Sequence, residues 1–225
     1  MRKALMMTLC LLLCGVVAHA QATTDGKGKW QSPNGRLSLI QKQGGFVLSC
    51  GGQTVLDIPR LGMGTWPAIP TGELAFVRPV KDDYTMLAGK RLHCTNEANE
   101  YQTMLSDGSR LVVRLYNDGL AFRYELTGLT GQSAPQEQTA YRIPDGTRRW
   151  MQQWSDGYEG FFPLSTTNVE KGRWGYPSLL QPADDVFALI TEANIERRQS
   201  ASCLFSEGDL FRVTPDEHGL LPRTA

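Results

Sequence analysis

Glu192 is the residue in this chain best placed to do chemistry. It closes an apolar run, Val186 to Thr191 (VFALIT), and Ala193-Asn194 follow at once. A carboxylate where a strand gives way to a loop has a rigid backbone behind it and open space in front. Asn194 and Glu196 add oxygens nearby, and hard oxygen donors suit Ca²⁺. One carboxylate does not complete such a site, because calcium takes about six to eight oxygens. The plainer reading of Glu192 is a strand-end acid exposed to water.

A second candidate lies just upstream. Trp150, Trp154, Tyr158, Phe161, Phe162, Trp174 and Tyr176 place seven of the chain's 20 aromatic residues between positions 150 and 176. Flat rings stack on the apolar faces of sugars, and Asp156, Glu159, Asn168 and Arg173 can bond hydroxyls. Trp154, Tyr158, Glu159 and Trp174 are the candidate carbohydrate contacts. Most rings of such a cluster pack in a core, so two or three of the seven are expected near a surface. Arg148-Arg149 beside Trp150 reads as a solvated pair.

Other chemistries find less support. Hydrolysis of a glycosidic bond needs two carboxylates straddling it. Asp82-Asp83, Glu97, Glu100 and Asp184-Asp185 supply acids, but nothing marks any two as facing each other. Past the leader only His93 and His218 remain, too few for zinc hydrolysis or a Ser-His-Asp triad. Cys50, Cys94 and Cys203 also remain, so at most one internal disulfide can form and its pairing is open.

The elements that must position these residues are strands. Leu111 to Leu126 (LVVRLYNDGLAFRYEL) has two apolar arms around Asn117-Asp118-Gly119. Asp-Gly between hydrophobic runs predicts a hairpin with a type I′ turn. Phe122, Tyr124 and Leu126 alternate with Arg123 and Glu125, the period of a strand with one wet face. Earlier, Arg36–Ile40, Phe46–Cys50 and Gln53–Ile58 form three strands joined by Gly turns. Pro59, Pro67, Pro70 and Pro79 make 59–79 a loop or an edge. Lys81–Gly89 is ambiguous. Leu92–Met104 reads as one irregular strand, with a short helix at Glu97–Tyr101 as the alternative. Later strands are Thr139–Ile143, Ala201–Phe205 and Leu210–Val213, with Val186–Thr191 as a strand buried on both faces and 177–185 as a loop. Short strands, frequent Asn-Gly and Asp-Gly turns and no helical period predict an all-β fold, an antiparallel sandwich or barrel.

The front end is not part of that fold. Arg2 and Lys3 precede an apolar run, Ala4 to Val17, and Ala18-His19-Ala20 place small residues at −3 and −1 of a cleavage site. This is the pattern of a signal peptide over residues 1–20. The run is shorter than the ~20 residues that span a bilayer, which argues against an uncleaved anchor. Leu13 before Cys14 argues against a lipoprotein. The mature chain, 21–225, is expected to be periplasmic or secreted. It carries 21 basic and 23 acidic side chains, a balance that suggests neither nucleic acid nor a membrane surface as partner.

Several stretches, in order, resemble the N-terminal domain of glycoside hydrolase family 97. They are Ser32-Pro33-Asn34-Gly35, Leu61-Gly62, Asn96 to Glu100, Tyr116-Asn117-Asp118-Gly119-Leu120-Ala121-Phe122-Arg123-Tyr124-Glu125, Trp150, Tyr158-Glu159 and Thr191-Glu192-Ala193. The resemblance spans roughly Trp30 to Phe205. It implies an N-terminal antiparallel β-super-sandwich with little helix, ahead of a (β/α)₈ barrel that carries the catalytic carboxylates. It implies α-glucoside or α-galactoside substrates, and a calcium ion to which this domain lends one glutamate, matched here by Glu192. It also implies that Arg123 and Glu125 face the barrel or a second layer.

No alternating βα pattern follows in the sequence, and a barrel takes about 250 residues. The expectation is therefore a non-catalytic part of a family-97-like glycosidase, inactive alone, whose missing partner is the barrel of the same enzyme. The alternative is a free-standing secreted carbohydrate-binding β-sandwich that uses the aromatic segment.

Overall fold

A computed structural model describes residues 28–42, 45–64, 66, 73–105, 107–128, 136–155, 164–165, 171–193 and 201–215. The signal-peptide residues 1–20, and Asp156, Tyr158, Glu159, Asn168, Asn194 and Glu196, lie outside them. Among the described residues there are strands and no helix. The all-β expectation holds.

Among the described residues sixteen antiparallel strands form three sheets. The first sheet begins as a meander. β1 (Lys29–Gln31) pairs with β2 (Leu37–Lys42), β2 with β3 (Gly45–Cys50), and β3 with β4 (Gln53–Arg60). Gly45 is needed there: a Cβ at this position would lie 2.5 Å from the Ile58 carbonyl oxygen. The second sheet runs in chain order through β5 (Ala75–Thr85), β6 (His93–Met104), β7 (Arg110–Tyr116) and β8 (Leu120–Glu125). β9 (Ala140–Arg142) returns to the first sheet. The third sheet has the order β11-β10-β13-β14, from β10 (Arg148–Trp150), β11 (Leu164–Ser165), β13 (Ser178–Ala183) and β14 (Val186–Ile190). β12 (Gly172–Trp174), β15 (Ser202–Glu207) and β16 (Leu210–Pro215) complete the first sheet as β9-β16-β15-β12.

One core joins the sheets. Tyr101, Leu111, Val113 and Leu115 from the second sheet pack with Trp30, Leu39, Phe46 and Ile58 from the first and Leu180 from the third. Each comes from the inward phase of its strand, as a period of two requires. β7 lies over β2, and β13 over β4.

Local readings changed in several places. The β7–β8 hairpin is present with the expected alternation, but its turn sits one residue early. Leu115 pairs with Leu120, and the Tyr116 N–H donates to the Gly119 carbonyl at 2.8 Å. The two-residue turn is therefore Asn117-Asp118. Gly119 lies between the turn and β8 and has no positive φ. Asn117 is the anchored residue: its Oδ1 accepts from the Asn34 N–H at 2.9 Å, and its N–H donates to the Glu97 carbonyl at 3.3 Å. The polar stretch at 81–85 is strand, and Leu92–Met104 contains strand rather than a helix at Glu97–Tyr101, because β5 and β6 pair from Ala75 to His93. β5 with Pro79 is an edge strand, as proline density requires. The expected loop at 177–185 is largely β13, which runs through Pro182.

Two corrections bear on function. Val186–Ile190 is not buried on both faces: Phe187 is 60% and Leu189 58% exposed. Nor is Arg148-Arg149 a solvated pair. Arg148 is paired with Asp184, while Arg149 is 1% exposed. β10 pairs Arg149 with Leu180, so the strand's phase points it inward beside a core leucine. Its Nε and Nη1 find no hydrogen-bond acceptor among the described residues. Burial lowers its affinity for the proton, and the charges of Asp145 and Asp209 partly offset that.

Candidate functional site

Glu192 stands two residues past the end of β14 and is half-buried. Its carboxylate accepts from the Ser202 N–H at 3.2 Å and from the Ser202 hydroxyl. Ser202 opens β15, so the third sheet's edge strand is tied to the first sheet at this point. Tyr176 hydrogen-bonds Ser202 from the segment after β12. The strand-end position was legible in the sequence. Its serine partner, ten residues on, was not.

A second acid lies close enough for its charge to interact with Glu192. Glu137 belongs to a segment pinned against Gly62–Gly64. Gly64 N–H donates to the Gln136 carbonyl at 2.7 Å, Gln138 N–H donates to the Gly62 carbonyl at 2.9 Å, and Met63 bridges Glu137. Burial pushes the Glu137 carboxyl above its ordinary value. A hydrogen bond with Thr139 opposes this, and the Glu192 charge adds to it. Thr139 shares a 2.6 Å hydrogen bond with the Tyr124 hydroxyl, and Tyr124 packs edge-on to Trp66 at 5.6 Å. Burial also raises the phenols of Tyr124, Tyr141 and Tyr176, and Glu137 contributes to all three shifts. Two carboxylates, three tyrosines, Thr139 and Ser202 thus act on one another from β8, β9, β15 and the segments outside the strands. No sequence pattern around Glu137 signals a partner 55 residues away.

The remaining candidates divide. Trp154 is half-buried, and its N–H donates to the Arg173 carbonyl at 2.9 Å. Trp174 is 9% exposed, and its indole N–H donates to Ser206 Oγ at 2.9 Å. Its ring packs in the core rather than at the surface. Gln153 bridges Trp174, so both tryptophans sit on adjoining segments, and Trp174 is two residues from the Tyr176 that holds Ser202. Tyr158 and Glu159 fall outside the described residues.

The donor set around Glu192 is all hard oxygen, which fits calcium in kind. It falls short in number. Among the described residues no three His, Cys, Asp or Glu side chains converge on one point. A cation held here would draw most of its ligands from elsewhere.

Residues 30–209 match the family model described as glycosyl-hydrolase 97 N-terminal. A Streptomyces bingchenggensis (strain BCW-1) protein named "Probable retaining alpha-galactosidase" is 30% identical over 228 residues, covering 90% of this chain and 35% of that protein. A family 97 glycoside hydrolase from Pseudoalteromonas sp. strain K8, solved with acarbose, aligns with TM-score 0.60 at 17% identity, over 84% of this chain and 32% of its own. A beta-arabinopyranosidase structure aligns with TM-score 0.60 at 21% identity, over 84% and 35%. At these identities the structural likeness speaks for the fold. The chain spans about a third of the length of each of these proteins.

Proposed function

The chain belongs to the glycosyl-hydrolase 97 N-terminal family, and from that membership we propose that it supports α-glycoside hydrolysis carried out by a larger enzyme. The match over residues 30–209 carries this reading. The Streptomyces relative's printed name favours α-galactosides as the first substrates to test, with α-glucosides next. The basic start, the apolar run and Ala18-His19-Ala20 support export to the periplasm or beyond.

Glu192 is the residue of this chain that would hold calcium. Its two oxygens offer about four acceptor positions, and Ser202 occupies two of them while fixing the carboxylate's orientation. A bound calcium ion would supply charge stabilisation near the sugar. Glu137 lies near enough for its charge to interact with Glu192. Half-buried Trp154 is the described ring that this reading assigns to sugar contact.

The test joins this chain to the catalytic part of a family relative and follows release of nitrophenol from nitrophenyl α-galactoside and α-glucoside. The chain alone is expected to be inactive, and turnover by it would overturn the reading. In the joined enzyme, Glu192→Gln should raise the calcium concentration for half-activity by roughly tenfold or more, since one anionic ligand is lost. An unchanged calcium requirement would remove Glu192 from the metal site.

A further inference from the structure

The outer face of the third sheet is apolar and bare. The register places Trp150 on β10 beside Leu179 on β13, and Leu179 beside Leu189 on β14. Neighbours across strands have Cβ atoms about 5 Å apart, so the three form one row across the sheet. Phe187 lies two residues from Leu189 and shares its face. Trp150 and Leu179 are half-buried, whereas Phe187 and Leu189 are 60% and 58% exposed. The opposite face of the same strands is core, with Arg149 at 1%, Leu180 at 0% and Ala188 packed beneath them. Polar groups border the patch: Arg148 pairs with Asp184, and Gln181 Nε2 donates to the Asp184 carbonyl at 3.0 Å. An apolar centre inside a polar rim is the anatomy of a protein interface.

Three observations together identify what covers it. The run VFALI is the pattern of a strand covered on both faces, yet the described residues cover one. β14 leads in two residues to Glu192, the carboxylate to which the function proposed above assigns a calcium ion shared with the rest of the enzyme. The matched relatives carry about two thirds of their length beyond what this chain spans. We propose that Trp150, Leu179, Phe187 and Leu189 form the surface on which that remaining part of the enzyme docks. The inference rests on the function proposed above and names the contact surface it requires.

The docking partner for the test is the part of the Streptomyces relative outside the matched stretch, expressed separately. Mixed with the wild-type chain, it should give a one-to-one complex by light scattering. Phe187→Asp with Leu189→Asp should weaken that complex by roughly a hundredfold, the scale of removing a central apolar anchor pair. Arg123→Ala, on the outer face of the second sheet, should leave it within about twofold. Circular dichroism melts check that each variant is folded, and Phe187→Ser with Leu189→Ser repeats the test without added charge. A complex indifferent to both double variants overturns this inference and leaves the proposed function standing. A wild-type chain that forms no complex overturns both. If the chain alone forms a dimer that the double variant abolishes, the occupant is a second copy and the inference falls.

Discussion

Around Glu100 and Glu125 the second sheet (β5–β8) meets solvent with ion pairs, whereas β14 of the third (β11-β10-β13-β14) meets it with Phe187 and Leu189. On the second sheet Glu100, itself 7% exposed, takes hydrogen bonds from Arg114 Nε at 2.7 Å and Arg78 Nε at 3.1 Å. Glu125 is held in the same way by Arg110 and Arg123. Val80, Ala98 and Val112 lie beneath these side chains at 7%, 0% and 7% exposure. Long arginine stems cover apolar surface while their heads stay in water, so this part of the face is covered within the chain, whereas Tyr84 and Met104 farther along the same face are 44% and 63% exposed. Among the described residues the third sheet has no such cover over Phe187 and Leu189. The two sheets share one core and differ in how these two outer patches meet solvent. The expectation that Arg123 and Glu125 meet a second layer gains nothing from this geometry. They pair with each other and with Arg110.

If the sheets differ only outside, inward truncations should cost alike. Leu180→Ala on β13 and Leu115→Ala on β7 each remove a side chain at 0% exposure. Each should destabilise by roughly 2–5 kcal/mol in urea unfolding. A cost below about 1 kcal/mol for Leu180→Ala would mean that the third sheet is not anchored in the common core.

Inward phases were readable because period-two alternation reports which face meets a core. That is why the β7–β8 hairpin and the β2–β4 meander were legible. Outward cover was not readable, because it depends on neighbours distant in sequence. VFALI read as doubly buried although one face is open. Arg149 read as solvated because β10 has only three residues, too short for a phase to show. β13 was hidden by Pro182 and by Asp184-Asp185, which form the turn into β14. At the site, Glu192 was legible from its strand-end position, while Ser202 and Glu137 are brought to it by pairings that no local pattern encodes.

The ion-pair face gives the next largest effect. Glu100→Ala leaves Arg114 and Arg78 without their shared acceptor, and the loss should be roughly 2–4 kcal/mol. The lower end is favoured because Arg78's side chain is 59% exposed. Glu100→Gln, which keeps the volume and one acceptor, should recover part of it. Equal stability for wild type and Glu100→Ala would mean that the lattice only decorates the surface.

Acid should act on the same face. Burial alone would raise the Glu100 carboxyl, but hydrogen bonds and charge from Arg114 and Arg78 outweigh it and hold it below the ordinary 4.5. Glu125 is lowered by Arg123 and Arg110 against the same opposing burial. A carboxyl lowered on folding contributes stability that is fully present above its unfolded value. That contribution is lost as pH falls from about 4.5 through the folded value. Denaturant midpoints should therefore drop below pH 4.5, and Glu100→Gln with Glu125→Gln should flatten the drop. An unchanged slope in the double variant would place the acid sensitivity elsewhere.

The smallest expected change completes the contrast. Phe187→Ser with Leu189→Ser removes two large side chains, yet both are more than half exposed in the isolated chain. Surface substitutions of this kind usually move stability within about 0.5 kcal/mol, whereas burying such side chains in a complex is worth roughly 1.5–3 kcal/mol each. The chain alone should therefore unfold at nearly the wild-type denaturant concentration while the same pair of changes weakens docking. If the isolated chain instead lost several kcal/mol, Phe187 and Leu189 would already be packed against its own residues in solution. That patch of the third sheet would then be as well covered as the surface under the Glu100 ion pairs.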